Sequence, residues 1–172
     1  MRTIAVAVVA LVAIAAAATF AVLYFTDERA TRTVIVRPCG DRTFGHIASL
    51  ERDSGRWLLH FDPAWFTSGL TANTAAAEDG VVGPGEPVPN DNYRIDEGHR
   101  LLTYIVAPHA RVTVLTRHGD PGRFGATPIT VAQLAELVRG EKPVQLFEPL
   151  DTGVWIRIHV DTVCAIEHQY QP

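Results

Sequence analysis

Hydrophobic positions are spread unevenly along the chain. From Ile4 to Phe25 every residue except Thr19 is aliphatic or aromatic, and none is charged. As a helix this stretch would reach about 33 Å, enough to cross a hydrocarbon core of roughly 30 Å with its backbone groups satisfied internally. It predicts a cytoplasmic tip and transmembrane anchor over residues 1–26, a linker at 27–32 and an extracytoplasmic domain at 33–172. Arg2 before the span, and Asp27 and Glu28 after it, set the N-terminus in the cytoplasm. The competing reading is a cleaved secretory signal. Ala15–Ala18 offers small-x-small sites, but cleavage there would leave the apolar, aromatic stub Thr19–Phe25 at the new terminus.

Past the anchor the pattern turns into short alternations. Thr33–Arg37 is β-branched and stops at Pro38. Phe44–Arg52 and Trp57–Phe61 flank Asp53-Ser54-Gly55-Arg56 and read as a hairpin. Asp62-Pro63 reads as a helix entry running through Trp65, and Leu70–Asp79 as an Ala-rich helix stopped by Gly80. The Gly- and Pro-rich stretch 80–92 is a loop. Tyr93–Asp96, Leu101–Val106 and Arg111–Thr116 read as three strands of a meander, the last two separated by a turn at 107–110, before a polar loop at 118–128. A second helix starts after Thr130, where Thr130 and Gln133 are placed for a capping box and Ile129 and Leu134 for a hydrophobic staple. Val154–Val160 alternates strictly, and Asp161-Thr162 turns the chain into Val163–Tyr170. These elements sum to an α+β fold. An N-terminal transmembrane helix precedes a mainly antiparallel β domain with two short helices, its sheet curled into a small, partly open barrel.

At 172 residues the chain holds one domain plus the appendage, and its charge of −4, with no basic run, excludes a nucleic-acid binder. Fourteen Arg stand against the single Lys142. That ratio reads as the coding bias of a GC-rich bacterial genome and not as guanidinium chemistry. Cys39 and Cys164, the two thiols, form either one disulfide in an oxidising compartment or two small buried hydrophobes; neither has a metal-ligand spacing.

Candidate chemistry is sparse. Asp62, Glu78, Asp79 and Asp91 fall at loop and helix ends, where an exported protein holds Ca²⁺ with carboxylates, and Glu78 and Asp79 oppose the helix dipole at a helix C-terminus. His60 with Asp62, and His159 with Asp161, each put an imidazole and a carboxylate two residues apart, the start of a Zn²⁺ site that needs a third ligand. Ser49, Ser54 and Ser68 lack a nucleophile elbow, and neither cysteine has a catalytic flank. No cofactor is required by the sequence. The leading expectation is a non-catalytic, membrane-anchored binding or scaffold domain for an envelope protein partner. Behind it stand a Ca²⁺- or Zn²⁺-binding exported domain, and then a hydrolase with a cleft near residues 80–92.

The strings FDPAWF at Phe61–Phe66, AAAEDG at Ala75–Gly80, PNDNY at Pro89–Tyr93 and QYQP at Gln169–Pro172 resemble a family of small exported bacterial proteins of unassigned role. The resemblance covers roughly residues 44–172, implies one exported domain behind a leader or anchor, and brings no catalytic residue. The chain departs from that family in its low Lys and Glu content and its two cysteines.

Overall fold

The structure, a computed structural model, describes residues 39–171 apart from 97, 99, 120 and 121. The expected anchor at 4–25 and the expected strand Thr33–Arg37 lie outside the described residues, among which no helix is long and apolar enough to cross a membrane.

Among the described residues, eight strands and two α-helices follow in the order β1 (Asp41–Asp53), β2 (Arg56–Pro63), β3 (Trp65–Ser68), α1 (Gly69–Glu78), β4 (Asn92–Ile95), β5 (Leu102–Arg117), β6 (Phe124–Ile129), α2 (Val131–Val138), β7 (Val154–His159) and β8 (Thr162–His168). The main sheet runs β2-β1-β7-β8-β5-β6, and β2 pairs again with β5. Five strands, β1, β2, β5, β8 and β7, therefore close into a ring. All ring pairings are antiparallel except that of β5 with β8. In chain order the ring takes β1, β2 and β5, and then, after α2, the final hairpin β7–β8, which slots between β1 and β5; this is the strand order of a five-stranded Greek-key barrel of the OB type.

This corrects the expected fold class in two respects. The described residues are mostly β, not α+β, because the two short helices are subordinate to one barrel. The barrel is also closed where a partly open one was expected: the β2–β5 ladder from Trp57↔Val106 to Phe61↔Leu102 seals the last gap. Closure removes both edges of the sheet at that point, which protects the backbone from pairing with other chains.

Local chemistry explains the parts. Ser54 and Gly55 have φ of +47° and +84°, the left-handed pair of a type I′ turn, whose twist matches the strands it joins. Gly45 marks where β1 passes from β7 to β2, since it pairs with both Val154 and Pro63. A Cβ there would run into the Asp62 carbonyl oxygen and the Phe61 ring. Inside the ring, Leu50, Leu59, Phe61, Val114, Ile156 and Ile166 form the core, and α2 adds Leu134 and Ala135 to it. The expected capping box starts α2: the Gln133 N–H donates to Thr130 Oγ1 at 3.1 Å while Gln133 Oε1 accepts from the Thr130 N–H at 2.9 Å.

Beside the barrel, β3 and β4 form a two-stranded ribbon. α1 packs there through Ala72 and Ala76 against Val88, Val82 and Tyr93. Asp62-Pro63 ends β2 and starts no helix. Cys39, just ahead of β1, is disulfide-bonded to Cys164 of β8, with Cα atoms 6.0 Å apart across 125 residues of sequence. On the loop-entropy model such a bridge penalises the unfolded chain by about 4 to 5 kcal/mol.

Candidate functional site

Strand β5 is longer than any one partner can cover. On one flank it pairs with β8. On the other it pairs with β2 as far as Val106, and with β6 only from Val112 onward. Between these ladders Ala107–Arg111 have no strand partner on that flank, and the β5–β8 register also shifts between Val106 and Arg111. The gap opens into a groove of about 810 Å³.

Three parts of the chain supply most of the groove's lining, and Thr162 at the start of β8 adds to it. The β1–β2 turn brings Arg52, Arg56 and Trp57; the break in β5 brings Val106, Ala107, Pro108 and Ala110; the end of β6 and the start of α2 bring Ile129 and Val131. The floor is thus apolar and the rim cationic, with no Asp or Glu among the lining residues. Neither Arg52 nor Arg56 takes part in an ion pair among the described residues. Asp53 stands opposite Arg56 in the ladder, but its Oδ1 accepts the Ser54 hydroxyl at 3.2 Å. The Arg52 guanidinium instead lies 5.9 Å from the centre of the Trp57 ring, close enough for a cation–π contact. An anionic group with an apolar body is the ligand chemistry that such walls complement.

The acidic residues singled out from the sequence do not gather. Among the described residues no three His, Cys, Asp or Glu side chains are placed to hold a metal ion. Asp79 caps α1, and its Oδ2 accepts the Tyr93 hydroxyl at 2.9 Å. That bond fastens α1 to β4 and accounts for an acid at the unfavourable end of the helix. It also raises the Tyr93 phenol above its ordinary value, more than burial or the Asp79 charge does. Glu78 ends α1 on its exposed side, and Asp91 sits with φ of +57° in the short turn before β4.

The two His/Asp pairs are likewise separated in role. His60 Nδ1 lies 3.0 Å from Thr103 Oγ1 across the β2–β5 ladder. Asp62 instead faces His46 on β1. Asp62 Oδ1 and His46 Nε2 are both sealed from solvent without a hydrogen-bond partner. Burial is the first cause of the lowered pKa of His46, and Arg94 adds to it against the charges of Asp96, Asp62 and Asp151. His159 ends β7 just before the β7–β8 turn and Asp161 lies in that turn, where its carbonyl accepts the Ile105 N–H at 3.1 Å.

A pocket of about 210 Å³ takes in Pro89, Asn90 and Asn92 from the expected cleft near residues 80–92, together with Arg94, Thr152 and Phe66. Its polar groups are occupied by the fold itself: Arg94 donates to the Asp151 carbonyl at 3.3 Å and Thr152 to the Pro149 carbonyl at 3.1 Å. Neither a serine nor a histidine lines it. Ser54 donates to Asp53, Ser68 precedes α1 without a side-chain cap bond, and Ser49 lies at the bulge in β1.

The groove is only faintly legible in the sequence. Arg52, Arg56 and Trp57 surround the predicted hairpin turn, which was the one local signal. Nothing in the sequence brings Ala107–Ala110 beside them. No known protein family, curated protein or solved structure matches the chain.

Proposed function

We propose that this protein is a non-catalytic binding domain of the bacterial envelope, whose barrel offers the groove between β2 and β6 to an anionic partner with an apolar surface. One observation carries the reading. A cleft of about 810 Å³ is rimmed by two arginines free of carboxylate partners and contains no acid, in a chain of net charge −4. Groups that complement an anion and form no ion pair with the chain's own carboxylates favour a ligand from outside. The envelope location rests on the Cys39–Cys164 disulfide, which persists in oxidising compartments, and on the uncharged stretch 4–25 as a membrane tether. The resemblance to small exported proteins is in keeping with it.

Titration calorimetry of naphthalene-2-sulfonate against the full-length chain in zwitterionic micelles, with empty micelles as the blank, tests the groove. The proposal expects a single site that the exchanges Arg52→Glu and Arg56→Glu together abolish. Binding that survives both exchanges, or no binding, would overturn it. Recovery of the unextracted protein in the cytosol after cell fractionation would overturn the location.

A further inference from the structure

We propose that the partner held by the groove is an extended, acidic polypeptide segment that adds to the exposed flank of β5. This deepens the reading above and rests on it. The groove runs along a strand: Ala107–Arg111 lie between the β2 and β6 ladders with no strand on that flank. An extended segment placed there would continue the row of strands from β2 to β6, pairing its main chain with β5. Ala107 and Ala110 line the gap with small side chains, so a second backbone can approach closely. Pro108 has no N–H, which limits such pairing to the rest of the strand and disfavours indiscriminate edge association.

Charge selects the sequence of that segment. Successive side chains of a strand point to opposite faces, so one set would enter the apolar floor at Val106, Ile129 and Val131. The alternate set would meet the rim, where Arg52 and Arg56 lack carboxylate partners. The matching pattern is alternating apolar and acidic residues. A free anion or a lipid headgroup would satisfy the arginines but leave the β5 backbone unpaired, and a nucleic acid would add many phosphates to an acidic chain.

The test is fluorescence anisotropy of labelled peptides with the full-length chain in zwitterionic micelles. The probes are Glu-Val-Glu-Val-Glu-Val, its Lys-for-Glu counterpart, and the acidic peptide with alternate backbone amides N-methylated. Glycerol 1-phosphate and oligothymidylate serve as competitors. The proposal expects the acidic peptide to bind, and the Lys and N-methylated peptides to bind at least about tenfold more weakly. It also expects the R52E/R56E variant, checked for an unchanged melting curve, to lose the acidic peptide. Equal binding of the N-methylated peptide would overturn strand addition while leaving the anion groove intact. So would glycerol 1-phosphate or oligothymidylate binding to the wild type but not to R52E/R56E while the acidic peptide does not bind. Failure of every probe would overturn both readings.

Discussion

His168 is 7% exposed and joins three parts of the chain through one ring. Its Nδ1 accepts the Leu115 N–H of β5 at 3.3 Å, so the proton of the neutral ring is on Nε2, which donates to the Pro149 carbonyl at 3.1 Å beside the Thr152 hydroxyl at 2.9 Å. Desolvation lowers its pKa below 6.5 and outweighs the Pro149 contact and the charges of Glu148 and Asp151, which raise it. The unfolded chain therefore takes up this proton first as pH falls. The contribution of His168 is complete above the unfolded value and is lost as pH drops through it toward the folded one. His46, also lowered by burial, adds in the same direction. Urea midpoints are expected to fall between about pH 7.5 and about pH 5. The exchange His168→Gln should flatten that slope; an unchanged slope would rule out this origin. Such single residues were poorly legible in the sequence. Asp79 was noticed for its unfavourable position, and the cause is a bond to Tyr93 from another element. The excess of Arg over Lys reads as coding bias, yet Arg52 and Arg56 become distinctive once folding leaves them without an ion pair among the described residues.

At the scale of elements, local signals were sound where the chemistry is local. The β1–β2 hairpin and the capping box of α2 stand as their residues dictate. Where two elements meet, the reading erred. Leu101–Val106 and Arg111–Thr116 are one bent strand, β5, because Ala107-Pro108 interrupts its pairing without reversing the chain. Most of β6, Phe124–Ile129, falls within the polar loop expected at 118–128; its Gly and Pro disguise a strand that the ladder with β5 holds. Pro128 sits there opposite Thr113. The His118 N–H bond to the Arg123 carbonyl fixes the alternation and turns the missing donor of Pro128 outward. The β7–β8 turn is offset by one residue, at Val160-Asp161, and puts Val160 at φ +53° with 78% of its surface exposed. A β-branched residue is strained in that region, at a cost of about 1 to 2 kcal/mol. The exchange Val160→Gly should raise stability by about 0.5 to 1 kcal/mol, after the greater entropy of unfolded Gly is deducted. Urea unfolding measures it, and a loss of stability would contradict the strain.

For the whole molecule, the largest departure from the sequence reading is closure of the barrel, and its cause is long-range. Periodicity assigns each strand an inner and an outer face but does not say that β2 will meet β5 across β3, α1 and β4. The groove is a consequence of the same geometry, since a ring of five strands uses only part of β5 and β6 takes up the rest farther on. The disulfide adds a second long-range tie by fixing the start of β1 to β8. Hydrogen–deuterium exchange of the full-length chain in micelles, with and without saturating naphthalene-2-sulfonate, locates the binding site directly. Slowed exchange is expected in Arg52–Trp57, Ile105–Arg111 and Ile129–Ala132, with α1 and β4 unchanged. Protection centred on α1 and β4, or none in the groove despite measured binding, would contradict the account.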